Sequence, residues 1–227
     1  MARGHERADG TTPTQVERAH ARKIGDRLSR RYPVIGTALD YGSPWQLLVA
    51  TVLSAQTTDE NVNKVLPVLF NRYPTADDLA GADPEAVEAI VFSTGFYRQK
   101  TKSIIALASD LVEKYEGEVP IDIDELTTLR GVGRKTASVV LAEAFGVPAI
   151  AVDTHVKRLS NRLGLTTASD PAKIEADLKA LFPKSRWLNL SMQMIQYGRD
   201  ICDARKPRCF ECGLVDICPY PDKRMSE

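Results

Sequence analysis

Two sets of residues in this chain have side chains and spacing suited to chemistry. The first is Lys135 with Asp153, an amine and a carboxylate that each fall at a predicted helix start. A lysine amine that sheds its proton attacks electrophilic carbon, and a carboxylate partner can stabilise developing positive charge or move a proton. The second set is Cys202, Cys209, Cys212 and Cys218, all 4 cysteines of the chain. Gathered in one segment, with no export signal in view, they point to a metal site rather than to disulfides. Their order, C-x6-C-x2-C-x5-C, holds one close pair where structural zinc sites usually have two. A cubane tolerates wider, uneven loops, yet this order matches neither common ferredoxin spacing. Zinc and iron–sulfur therefore both stay open on the residues alone. Arg205, Lys206 and Arg208 lie between the first two cysteines, which suits a phosphate contact as well as a purely structural loop.

The element that must hold Lys135 is the run Leu129-Arg130-Gly131-Val132-Gly133-Arg134-Lys135-Thr136. A helix predicted over 124–129 meets the two glycines, and a second helix follows over 134–145. Glycines without Cβ atoms allow a tight turn and a close approach by a ligand. The amides opening the second helix lack intrahelical partners, and together with the helix dipole they suit a phosphate oxygen. Arg130, Arg134 and Lys135 add three cations to the same few residues. This is a helix-hairpin-helix arrangement able to grip a nucleic-acid backbone without reading sequence. Asp153 precedes a helix predicted over 154–163, with Gly164 as its stop. Taken singly, Asp153 reads as an N-cap and Lys135 as a surface lysine. The hairpin makes the pair informative.

The remaining elements are helical. Thr14 with Glu17 forms a capping box ahead of a helix whose Val16, Ile24 and Leu28 should share one face. Ser43-Pro44 opens a helix that is apolar almost all round and should be the buried centre of a domain. The loop Ser54 to Thr58 feeds a helix for which Asp59 is the expected cap, with a kink at Pro67. Thr75 and Asp83-Pro84 open short helices, and Gly95-Phe96-Tyr97 turns into a long helix ending at Tyr115. Asp170-Pro171 and Ser185 open the last two. Trp45 and Trp187 read as core, and His155, just inside a helix start, as a packing residue. No strand periodicity and no internal repeat is present, so the fold class is all-α. Residues 1–13 read as a disordered tail.

The composition is 43% hydrophobic and 26% charged, with a formal net charge of +0. That balance excludes a general polycation, so any grip on nucleic acid rests on local clusters. Residues 1–31 hold eight Lys/Arg against four Asp/Glu, while acids gather in 76–90 and 116–125. The longest apolar run, 47–53, is far too short to span a bilayer. With no signal or transit pattern at the start, the expected compartment is the cytoplasm, in association with the nucleoid.

The hairpin octapeptide, the run Ile150-Ala151-Val152-Asp153-Thr154-His155, the loop Ser54-Ala55-Gln56-Thr57-Thr58-Asp59 and the cysteine spacing together resemble endonuclease III. That family comprises helix-hairpin-helix DNA glycosylases with apurinic/apyrimidinic lyase activity, and the resemblance covers roughly residues 20–220. It implies a two-lobed fold: a six-helix barrel domain over 37–147, and a cluster domain built from 14–36 and 148–227. It implies a [4Fe–4S] cluster on the four cysteines, Lys135 as the catalytic amine and Asp153 as its carboxylate partner. It also implies Gln56 and Phe96 as the filler and wedge for the gap left by an extruded base. Arg130, Gly131, Val132, Gly133 and Arg134 become backbone contacts, joined by Arg205, Lys206 and Arg208. The expected partner is double-stranded DNA with damaged pyrimidines or abasic sites, bound by a monomer without a membrane. One departure stands out: the family usually carries proline where this chain has Arg130, which predicts a looser hairpin offset by an added charge. Rival readings are a monofunctional adenine or thymine mismatch glycosylase, which would lack a lysine at position 135, and a noncatalytic helix-hairpin-helix DNA-binding protein. The adenine-specific branch usually adds a C-terminal domain, whereas this chain stops soon after Cys218.

Overall fold

Short polar side chains start most of the helices, as their sequence positions predict. In the computed structural model, which describes residues 5–226, Thr14 accepts the Glu17 amide at 3.2 Å, and the Glu17 carboxylate accepts the Thr14 amide at 2.7 Å. This closed box opens α1 (Gln15–Arg31). Ser43 caps α2 (Pro44–Leu53), Thr58 caps α3 (Asp59–Arg72), Thr75 caps α4 (Ala76–Ala80) and Asp83 caps α5 (Pro84–Val91). A 3₁₀ turn at Phe92–Thr94 leads into α6 (Tyr97–Tyr115), followed by α7 (Ile123–Thr128) and α8 (Arg134–Phe145). The remaining helices are α9 (Thr154–Arg162), α10 (Pro171–Leu181) and α11 (Trp187–Asp200). There is no strand among the described residues, and the fold is all-α.

The chain forms two compact units. The first, Thr37–Val147, is contiguous and carries α2–α8. Its centre is α2, where Leu47, Leu48, Val49, Ala50 and Leu53 are all 0% exposed. Each fully buried aliphatic side chain of that size contributes roughly 1.5–3 kcal/mol. Only a helix surrounded on all sides can collect that from one short stretch, and α2 packs against α3, α6 and α8. The second unit joins the residues up to Gly36 with those from Pro148 onward. Its core interleaves Ile24 and Leu28 of α1 with Val156 and Leu159 of α9, Ile174 and Leu178 of α10, and Leu190 and Met194 of α11. Gly198 lets α11 approach α9 closely: a Cβ there would stand 2.8 Å from the His155 ring.

Several local expectations are corrected. Val16 does not share the buried face of Ile24 and Leu28 but is 79% exposed. Thr58, not Asp59, is the cap of α3, because its hydroxyl reaches the Asn61 amide at 3.3 Å. Ser185 lies inside the 3₁₀ turn Lys184–Arg186, and α11 begins without a side-chain cap. Residues 5–13 do not form a free tail. Arg7 pairs with Glu17 at 2.8 Å, the Ala8 amide donates to Asp177 at 3.1 Å, and the His5 ring stands 5.1 Å from Trp187. Two of these three anchors lie in the far C-terminal third, where composition of the tail gives no hint of them. Residues 1–4 of the expected tail lie outside the described residues.

Candidate nucleic-acid interface and catalytic lysine

The hairpin begins where α7 stops. Leu129 turns extended (φ −73°, ψ 141°), and Gly131 follows at φ +80°, a region that L-residues with a Cβ rarely adopt. A Cβ on Gly131 would also lie 3.3 Å from the Ser103 Cβ, so the fold itself requires that glycine. Val132 pins the loop by burying its side chain, 5% exposed, and its amide bonds the Leu129 carbonyl at 3.1 Å. Gly133 is different. Its φ of −87° suits any residue, and no atom of the protein lies within 4 Å of where its Cβ would be. Nothing internal explains this second glycine, and the space above it is open to an approaching ligand. Gly133 is also the N-cap of α8, and with no side-chain cap the first amides of that helix are left for an outside acceptor. Lys135, exposed, is the second residue of α8, and Arg130 is 65% exposed at the side chain.

Two further segments gather at this end of the unit. The Gly131 Cβ position is 3.8 Å from Val52, in the last turn of α2, and Ser103 lies about 10 Å along α6 from its first residues. The loop after α2 carries Gln56, and the start of α6 carries Phe96. Gln56 (φ 56°) and Phe96 (φ 48°) are two of only three non-glycine residues with positive φ among the described residues. Such conformations cost roughly 1–3 kcal/mol each and persist where surrounding structure enforces them. Phe96 is also 67% exposed, an aromatic ring held out into solvent. Beneath it lies a residue that sequence reasoning missed. Lys100 is 5% exposed, and its amine donates to the Thr94 carbonyl at 2.7 Å, fixing the turn that carries Phe96. Burial lowers the Lys100 pKa. Asp110, 2% exposed, was missed as well. Lys100 falls in the apolar register of α6 with Ile104, Leu107 and Leu111, and a charge there was the available signal; Asp110 lies off that stripe, where the pattern gives none.

In the other unit, Asp153 is the N-cap of α9, and its Oδ1 accepts the Val156 amide at 2.8 Å. The extended connector before it is held by the buried Ala151 amide donating to Ser191 Oγ at 2.8 Å. His155 packs, as expected. Arg158 lies 3.0 Å from its Nδ1 and donates to the Gly198 carbonyl at the same distance. Burial pushes the His155 pKa down. Lys135 and Asp153 thus belong to different units, each at a helix start.

The four cysteines are free thiols that line one hollow, together with Arg162, Tyr197 and Tyr220. Arg162 donates to Cys202 Sγ at 3.3 Å, and the Tyr197 hydroxyl is 3.1 Å from Cys212 Sγ. Burial and the Cys212 sulfur push the Tyr197 phenol well up. A guanidinium and a hydroxyl beside sulfur suit thiolates. No three Cys, His, Asp or Glu side chains among the described residues converge on one point as a single-ion site would require. A cubane carries its own irons and sulfides in the middle and does not ask for that convergence. In the ligand loop, the Arg205 and Lys206 amides both bond Asp203, and both side chains are exposed. Arg208, expected to face phosphate, is half exposed and contacts the Asp200 carbonyl and Glu211.

This geometry agrees with what the chain is similar to. Residues 49–184 match the family model for the HhH-GPD superfamily of base excision DNA repair proteins. Endonuclease III of Synechocystis sp. is 55% identical over 85% of this chain and 88% of its own length. Endonuclease III of Escherichia coli is 38% identical over 92% and 99%. A solved structure of a trapped endonuclease III–DNA covalent intermediate superposes with a TM-score of 0.85 at 44% identity, covering 89% of this chain and 95% of that one. A thermostable thymine-DNA glycosylase shares the fold, with a TM-score of 0.82 at 22% identity. The chain belongs to the endonuclease III family, within the HhH-GPD superfamily of base-excision repair proteins. No helix of the described residues is long and apolar enough to cross a membrane.

Proposed function

We propose that this protein removes oxidised or ring-saturated pyrimidines from duplex DNA and cleaves the strand at the resulting abasic site, with Lys135 as nucleophile. The observation that carries this reading is the start of α8: uncapped amides, an open glycine and an exposed lysine on consecutive residues. The related endonuclease III held as a covalent intermediate on DNA supports it.

A stacked base cannot be reached inside a duplex, so the nucleotide is flipped out at a cost of a few kcal/mol, less for a base that has lost aromatic stacking. Phe96 enters the vacated stack, and Gln56 hydrogen-bonds the orphaned partner base. The first amides of α8, with Arg130, Arg134 and the backbone of Gly131 to Gly133, hold the phosphates. The neutral Lys135 amine attacks the sugar C1′, the bond to the base breaks, and the departing base takes up a proton. The C1′–O4′ bond then breaks, with a proton passing from the amine nitrogen to O4′, and the opened sugar is held as a Schiff base. This acidifies C2′, whose proton is lost as β-elimination breaks the bond from C3′ to the 3′ phosphate. Asp153 stabilises positive charge on the sugar and relays the proton shed by Lys135. Cys202, Cys209, Cys212 and Cys218 would hold the [4Fe–4S] cluster. When bound, that cluster supplies a covalent brace for the C-terminal segment, letting Arg205 and Lys206 meet phosphate, with a smaller part for Arg208. Every group invoked belongs to one chain, which acts as a monomer on the nucleoid DNA of the cytoplasm.

The test is reductive trapping. Incubated with duplex DNA holding one abasic site and borohydride, the protein should form a covalent adduct. Lys135→Ala should lose the adduct while still binding the DNA. An adduct persisting in Lys135→Ala would remove Lys135 as the nucleophile. No adduct from the native chain, with base release intact, would mark a monofunctional enzyme.

A further inference from the structure

The mechanism above makes no use of Asp110, yet this carboxylate is buried directly beneath the hairpin. Its Oδ2 accepts the Arg130 backbone amide at 2.9 Å and lies 3.4 Å from the Arg130 Nε, while its Oδ1 pairs with Lys114 at 3.1 Å. The Asp110 side chain is 3% exposed, whereas those of Arg130 and Lys114 are 65% and 46% exposed. A buried carboxylate is costly unless its lone pairs are filled. Here both oxygens are engaged, and the main-chain donor belongs to the first residue of the turn that Gly131 and Gly133 complete.

We propose that Asp110 is a positioning residue for DNA binding: its carboxylate clamps the Arg130 amide and so sets the hairpin that presents the α8 amides to phosphate. The inference rests on the reading of that hairpin as the DNA contact. It divides Arg130 into two functions. The main chain is fixed from below by Asp110, and the mostly exposed guanidinium stays available to a phosphate above. Lys114 keeps the carboxylate compensated when the guanidinium moves away, so the clamp holds in the bound state. Burial raises the pKa of the Asp110 carboxyl, but the Arg130 amide and the Lys114 ammonium outweigh burial and leave it below the ordinary value. Leu129 at φ −73°, ψ 141° is already in the conformation favoured before a proline. Proline at position 130 would therefore hold the same turn without any amide to clamp.

That gives a test by rescue. Five proteins are compared: the native chain, Asp110→Leu, Arg130→Pro, the double variant, and Asp110→Asn as the conservative control. Each is read for affinity to a duplex carrying a stable abasic analogue, for turnover at saturating abasic DNA, and for thermal stability. Leaving the Arg130 amide unpaired should weaken binding about tenfold in Asp110→Leu, with saturated turnover unchanged. Asp110→Asn keeps an acceptor and should restore most of the affinity. In the Arg130→Pro background, Asp110→Leu should cause no further loss of affinity, whatever it does to stability. An equal loss in both backgrounds would overturn the clamp and make Asp110 a plain core residue. A fall in saturated turnover with affinity intact would also overturn it. If the native chain itself fails to bind the duplex, the reading of the hairpin falls, and the clamp with it.

Discussion

The two glycines of the hairpin should respond to the same substitution in opposite ways. At Gly131, φ is +80° and an added Cβ would press to 3.3 Å from Ser103. An L-residue in the left-handed region costs about 1–2 kcal/mol, to which that contact adds. For a chain of this size, that lowers Tm by a few degrees. At Gly133, φ is −87° and no atom lies within 4 Å of the Cβ position. Alanine fits there and restricts the unfolded chain, but it is a poorer N-cap than glycine, so the two effects offset and stability should stay within about 1 kcal/mol of native. If phosphate sits against this backbone, however, the methyl group occupies its place. Losing one charge-assisted amide contact, worth about 1.5–3 kcal/mol, weakens binding by about one to two orders of magnitude. The assay pairs thermal melting with fluorescence anisotropy on a duplex bearing a stable abasic analogue. Gly133→Ala should melt close to the native chain and bind far more weakly. Native affinity in Gly133→Ala would refute the reasoning, because the open space would then not be where DNA approaches.

Three other outcomes are expected. Lys100→Met leaves the Thr94 carbonyl unpaired and loosens the turn under Phe96, so single-turnover excision of a ring-saturated pyrimidine should slow about tenfold while abasic-site binding changes little; an unchanged excision rate counts against a role for the buried lysine. His155 is held neutral by burial, with its pKa lowered in the folded state. The unfolded chain therefore binds the proton first, and stability should decline as pH falls from about 6.5 toward the lower folded value, then level off. His155→Asn should flatten that limb in pH-dependent melting, and an unaltered limb would assign it elsewhere. Cys209→Ser should lose the brown absorbance of the cluster and then solubility, before any loss of chemistry; a colourless, soluble and fully active variant would contradict a bracing role.

Most of the architecture was legible because it is written locally. Thr14, Ser43, Asp83 and Asp170 cap helices through bonds to amides two or three residues away, and each is readable from a short window. The apolar α2 announced its burial by having no polar face. What escaped depends on partners far along the chain. Residues 5–13 are fixed by Asp177 and Trp187. Asp110 lies off the apolar stripe of α6, and only the packing of that helix reveals that its charge is buried. The left-handed backbone at Gln56 and Phe96 is likewise imposed by the loops' neighbours, since neither residue type favours it.

The division of the chain into a contiguous unit and one built from both ends bears on synthesis. Residues 37–147 can begin to fold as soon as Val147 has emerged, with the whole hairpin and Lys135 already present. Helix α1, made first, must wait: its buried Ile24 and Leu28 find their partners only when α10 and α11 arrive. Once Val147 is made, at roughly 5–20 residues per second, α10 and α11 follow after about 2–10 s. Over that interval the nascent chain carries the hairpin and Lys135, but neither a cysteine loop nor a seated first helix. Translation itself thus separates the hairpin proposed to hold DNA from the cysteine segment and first helix of the second unit.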